Sequence, residues 1–131
     1  MTIRYYITPY DPASWRDPDA DPTTRGQSDL NIKVSDFNKQ LRQRWHLSET
    51  FPMRSWQFVY PDGQEISGSF TGEGNQIVAL EVGRGFNEFV HWYRSYIPSK
   101  YPLFLFLEGK WESLELNSST TLEDIAHFTG L

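Results

Sequence analysis

Between Gly85 and Phe128 the hydrophobic pattern runs from helical to extended and back to helical, and that order governs how the rest of the chain can pack. Phe86, Phe89, Val90, Tyr93 and Ile97 recur at helical spacing and make one apolar stripe, which Trp92 and Tyr96 widen. Glu88, His91, Arg94 and Ser95 fall mostly off it. Pro98 cannot donate a backbone hydrogen bond and ends the helix. LFLFL at 103–107 has no polar alternation, which predicts an inner strand covered on both faces. Gly109 supplies the turn into the strand WESLEL, where Leu114 and Leu116 point one way and Ser113 and Glu115 the other. Thr120 and Glu123 have capping-box spacing for a last helix whose buried side is Leu122, Ile125 and Phe128. Each such side chain contributes roughly 1.5–3 kcal/mol when fully buried. The stretch should therefore supply most of the core.

The residues before it are less regular. TIRYYIT at 2–8 alternates and reads as a strand, with Ile3, Tyr5 and Ile7 on one face. Pro9, Pro12, Pro18 and Pro22 break the segment 9–28 into a long loop that Trp15 could pin to the body. Asp17, Asp19 and Asp21 alternate within it. A calcium loop would need glycine where Pro22 stands and glutamate where Ser28 stands, so a solvated acidic turn is the better reading. Residues 30–33 read as extended. Ser35 is the expected N-cap of a helix reaching about Leu47, with Asp36 in its first turn and Phe37, Leu41 and Trp45 on its apolar side. Lys39, Arg42 and His46 form a second stripe that reads as the wet side of a surface helix. A three-strand meander follows: Trp56, Phe58 and Tyr60 share a face, PDG at 61–63 turns the chain, and Ile66 and Phe70 share the next face. Gly68 marks a bulge or a close backbone approach. Gly72 and Gly74 bracket the turn into Ile77–Val82.

The elements predict an α+β fold: a mostly antiparallel sheet of about six strands with two or three helices on one face. Phe37-Asn38 and Phe86-Asn87 open the two longer helices alike, which suggests a βαββ pseudo-repeat. A chain of 131 residues is one domain, 1–131, by length. Its aromatic fraction of 16% favours an independent core. Without cysteine there is no disulfide framework, thiolate metal site or thiol nucleophile. No apolar run approaches the roughly 20 residues that span a membrane, and MTIRYYITPY lacks the features of a signal peptide, so a cytoplasmic setting is expected. There Asn117-Ser118-Ser119 has no meaning as a glycosylation sequon. The net charge of −5 makes nucleic acid an unlikely partner, although Lys39, Arg42, Arg44 and His46 would be the residues to carry it.

Gly83-Arg84-Gly85 joins a strand to a helix, and exposed N–H groups there could hold a phosphate. Glu88 occupies the position of the third glycine of a dinucleotide fingerprint and would repel an anion. A flexible connector is the better reading. GSFTG at 68–72 has Phe70 where a nucleophile elbow needs serine. His46, His91 and His127 lack partners at metal-ligand spacing, and Glu112, Glu115, Glu123 and Asp124 read as solvent-facing. No catalytic residue, metal site or cofactor is assigned. The five tryptophans cannot all be deep core. Trp111 should point away from Leu114 and Leu116, and Trp92 borders Arg94. Such aromatics beside arginine serve as interface anchors, or else seal helix-on-sheet packing.

YYITPYDPASW, Arg44-Trp45 at the end of the first helix, and the C-terminal WYRSYIPSKYPLFLF, WESLEL and TTLEDIAHFTG resemble a family of small uncharacterised bacterial proteins, chiefly cyanobacterial. The resemblance implies a bacterial cytoplasmic setting and carries no catalytic residue with it. The sequence thus leads to a non-enzymatic protein-binding or accessory module that uses exposed aromatics and the Pro-rich loop. Its alternative is a small-molecule or anion-binding protein, an enzyme among the options, with a cleft near the 83–94 strand–helix junction. Trp15, Arg84, His91, Trp92, Arg94 and Trp111 are the candidate binding residues.

Overall fold

A computed structural model describes residues 3–10, 29–44, 47–49, 55–59, 65–71, 73–83, 85–110 and 112–131, with the backbone alone at 44, 47–49, 55–59, 65, 66 and 73. In chain order the elements are β1 (Arg4–Thr8), α1 (Val34–Arg44), β2 (Leu47–Glu49), β3 (Ser55–Val59), β4 (Glu65–Thr71), β5 (Ile77–Glu81), α2 (Phe86–Tyr96), β6 (Leu103–Leu107), β7 (Ser113–Leu116) and α3 (Leu122–Thr129). The strands form one sheet in the order β2-β3-β4-β5-β1-β6-β7, and every neighbouring pair is antiparallel. The α+β fold is as the hydrophobic periods predict. The strand beyond the expected six is β2: the helix expected to reach Leu47 is described as far as Arg44, and Leu47 pairs with Phe58 in a strand.

Both longer helices start from a central strand and cross over. β5-α2-β6 passes over β1, whereas β1-α1-β2 carries the chain to the far edge, from which β3 and β4 return. The two halves therefore share β-α-β order along the chain, but their strands are laid in the sheet in opposite sequence.

Register decides which residues meet. Tyr5 lies opposite Leu80 and Leu107, Ile7 opposite Val78 and Leu105, Phe70 opposite Val78, and Leu103 opposite Leu116. Tyr5, Ile7, Phe70, Val78, Leu80, Leu103, Leu105 and Leu116 are buried and share one face of the sheet. Phe37 and Leu41 of α1, Phe86, Phe89, Val90 and Tyr93 of α2, and Ile125 of α3 complete the same core, so all three helices lie on that face. Phe37 meets Phe70 edge-on at 4.7 Å, and Tyr5 meets Phe86 at 5.1 Å. Leu30 and Ile32 are buried as well. The Ile32 amide donates to the Gly74 carbonyl at 2.9 Å, the Asn75 side chain to Ile32, and the Gln76 side chain to Leu30. Gly74 has φ 68°, and a Cβ there would stand 3.0 Å from the Leu30 carbonyl, so this junction needs glycine twice over.

The local readings shift at several ends. Ser35 lies inside α1, which begins at Val34. The capping box of α3 is Thr121 with Asp124, one residue later than expected: the Asp124 amide donates to Thr121 Oγ1 at 3.1 Å, and the Thr121 amide to Asp124 Oδ2 at 3.0 Å. Thr120 instead accepts from the Asn117 amide. With the helix slipped by one residue, Ile125 is buried and Leu122 is 44% exposed. Ile3 precedes β1 and is 54% exposed. At Gly68 the pairing with Trp56 and Leu80 runs without a shift, and the irregularity falls between Leu47 and Glu49. Gly109, with φ 84°, makes the expected turn between β6 and β7. The PDG turn, Trp45, His46 and most of the 9–28 loop lie outside the described residues.

β6 corrects a larger expectation. It is an inner strand, but only Leu103 and Leu105 are buried. Phe104 and Phe106 point to the opposite face and remain half-buried. An antiparallel sheet needs helices on one face only, and here all three take the same one.

Candidate functional site

Of the six candidate binding residues, Trp15, Arg84 and Trp111 lie outside the described residues. The other three share α2 but not a surface. His91 is exposed. Trp92 is half-buried and stacks on Tyr96 at 5.4 Å, with Phe37 and Phe89 each at 5.8 Å. It seals the contact between α1 and α2. Tyr96 carries this cluster to α1, where its hydroxyl donates to Asp36 Oδ2 at 2.8 Å. Burial, reinforced by that hydrogen bond, pushes the Tyr96 phenol above its ordinary pKa.

Arg94 does not face a ligand. It is buried, and both terminal nitrogens are engaged by backbone carbonyls: Nη1 donates to Tyr101 at 2.8 Å and Leu116 at 3.0 Å, and Nη2 to Ile97 at 3.1 Å and Pro98 at 2.9 Å. A planar guanidinium can reach four acceptors in this way. The side chain ties the C-terminal end of α2, the loop after it and the end of β7 together, and its charge complements the helix dipole. Desolvation lowers its pKa, opposed by neighbouring Tyr93. The expected cleft lined by Arg94 is therefore corrected: its donors are consumed by the fold.

The 83–94 junction does carry a hollow at its near end. Val82, Gly83, Gly85, Phe86, Asn87, Glu88 and Leu131 enclose about 550 Å³. Gly85 caps α2 in a left-handed conformation with no side-chain cap. Glu88 lies in this hollow and opposes an anion there.

The residues that sequence reasoning passed over are on the sheet face that no described helix covers. Tyr6 of β1 and Phe106 of β6 are register partners and stack at 5.4 Å with 23° between ring planes. Phe104 continues the row, and Ala79 flanks Tyr6 on β5. Charged groups border it: Arg4 pairs with Glu81 at 3.8 Å, Ser67 donates to Glu81 at 3.1 Å, and the Tyr6 hydroxyl donates to Glu108 at 3.4 Å. The Arg4–Glu81 pair is largely solvated and adds little stability. The signal for this row was present in the alternation of β1 and β6, but an unbroken apolar run concealed it. Among the described residues, no three His, Asp or Glu side chains are placed to hold a metal ion, and no helix is long and apolar enough to cross a membrane.

These features define an α+β protein with one sheet face covered by the three described helices and one that no described helix covers. Compared with protein-family models, curated proteins and solved structures, the chain finds no match.

Proposed function

We propose that this protein is a non-enzymatic binding or accessory module that recognises a partner protein through aromatic side chains and the Pro-rich segment 9–28. The observation that carries the reading is the row Tyr6, Phe106 and Phe104, half-buried on the face that no described helix covers. Rigid aromatics contribute large contact area at low entropic cost, and a rim of charges sets orientation. Trp92 and Tyr96 offer a second aromatic surface on the helical side. The test is affinity capture from native lysate with wild-type protein and with Tyr6→Ser/Phe106→Ser. A partner retained by the first and lost by the second, with both folded by circular dichroism, is the expected result. A monomeric wild-type protein that retains nothing overturns the reading.

A second reading rests on the hollow beside Gly83 and Gly85. It would take a small neutral or cationic molecule, because Glu88 lines it and Arg94 points elsewhere. Thermal shift against a fragment collection, repeated on Glu88→Gln, tests it. Absence of any saturable shift removes it.

A further inference from the structure

One edge of the sheet lies beside a helix with a groove between them. β7 pairs with β6 on one side and, among the described residues, with no strand on the other. The groove between β7 and α3 encloses about 500 Å³. Leu114 and Phe128, both half-buried, supply its apolar lining. Glu115, Glu123 and Asp124 surround that lining, together with exposed His127. The spacing 123, 124, 127 and 128 puts the helical contributors on one side of α3. The capping box holds this side in place, since Asp124 is locked to Thr121 from both directions.

We propose that this groove binds an extended, positively charged segment of a partner protein, added to the sheet as a strand beside β7. The inference rests on the protein-binding reading and names a docking surface for it. The Glu115 carbonyl accepts from Thr120 Oγ1 at 3.4 Å and the Leu116 carbonyl from Arg94 at 3.0 Å, so an added strand would pair with the remaining outward N–H and C=O groups of β7 while its alternate side chains enter the neighbouring groove. β7 has four residues, which span about 13 Å and suit a partner segment of four or five. Every second residue of that segment would meet Leu114 and Phe128. The residues between would lie towards the face that no described helix covers, where Phe104 sits opposite Glu115 in register. Charge selects the occupant. Three carboxylates on a protein of net charge −5 favour Lys and Arg. A second copy fits poorly, because pairing β7 with β7 would bring Glu112 and Glu115 of one copy against the same residues of the other.

The test is an NMR titration of labelled protein with a blocked Lys-Val-Lys-Val-Lys-Val-Lys peptide. Two control peptides accompany it: one with Glu for each Lys, and one with N-methylated Val amides, which keeps the charge but cannot donate along one edge. The expected result is saturable shifts at 114–116 and 123–128. Both controls, and the variant Glu115→Lys/Glu123→Lys, should bind about tenfold more weakly or worse. These two glutamates are exposed and outside the capping pair, so the variant keeps the fold. Equal binding of the N-methylated peptide reduces the effect to charge attraction and overturns the proposal. So does the absence of shifts at millimolar peptide, or a free protein that dimerises through β7. Shifts on Tyr6, Phe104 and Phe106 instead overturn this docking surface and leave the protein-binding reading standing. The capture experiment on Tyr6→Ser/Phe106→Ser fails separately if that broader reading is wrong.

Discussion

Leu105 and Phe106 are consecutive residues of one strand, and they serve opposite sides of the molecule. Leu105 is sealed beneath the helices among side chains contributed by every layer. Phe106 lies on the other side of the same backbone, stacked on Tyr6 and half open. Both are large and apolar, so hydrophobicity does not separate them. What separates them is which side of the sheet the crossovers place helices on. An inner strand guarantees paired backbone on both edges; it does not guarantee cover on both faces.

The sharpest way to break this comparison is to truncate each side in turn. Leu105→Ala should cost about 2–5 kcal/mol, because the transfer energy and the residual cavity both count. Phe106→Ala removes a larger side chain yet should cost less, about 1–2 kcal/mol, because the ring is only partly buried where it stacks on Tyr6. Urea denaturation of the two variants decides it, and equal losses would erase the distinction between the faces.

Arg94→Met probes how the covered side is closed at its end. Four carbonyls lose a charged donor there, and a destabilisation of about 2–4 kcal/mol is expected. Arg94→Lys should recover only part of it, since an ammonium cannot span the same acceptors. If Met costs nothing, solvent already satisfies those carbonyls.

A smaller effect is expected at α3. Thr121→Ala should cost about 1 kcal/mol by chemical denaturation. The hydrogen bonds from Thr121 hold the Asp124 carboxyl below its ordinary pKa of 3.8. A depressed folded value gives stability that is present above 3.8 and fades as pH falls below it. The Thr121 backbone amide, which Thr121→Ala keeps, is the main donor to that carboxyl, so the wild type should lose more stability than Asp124→Asn on acidification through that range. Parallel acid profiles would show that the cap does not involve the charge.

The smallest change should run the other way. Tyr93 is buried by packing against Phe37, Phe89 and Tyr96, and among the described residues its hydroxyl has no hydrogen-bond partner. Burial, with some help from Tyr96, raises its pKa. Tyr93→Phe should leave stability unchanged or increase it by up to about 1 kcal/mol in thermal melts. A clear loss would reveal a partner for the hydroxyl.

The apolar stripe of α2 was legible almost residue by residue, because Phe86, Phe89, Val90, Tyr93 and Ile97 satisfy the helical period without interruption and all are buried. The turn at Gly109 was legible for a local reason as well, since positive φ selects glycine. The cap of α3 was missed by one residue because Thr120 and Thr121 are each followed three residues later by a carboxylate, and spacing alone does not choose between them. Arg94 was misjudged because its acceptors, the carbonyls of Tyr101 and Leu116, come from segments whose return to α2 no local pattern announces. The aromatic row was missed for a related reason: alternation on β1 and β6 names two sides but does not say which one the helices take.

The order and type of the principal helices and strands were determined by the sequence, since period, proline and glycine act over a few residues and leave local marks. The strand order β4-β5-β1-β6-β7, the burial of Leu30 and Ile32 against the Gly74 turn, the four-carbonyl clasp of Arg94 and the half-open Tyr6–Phe106 row were decided only by the tertiary structure. Each depends on segments distant in the chain meeting in space, and the cooperative burial of one shared core selects those meetings.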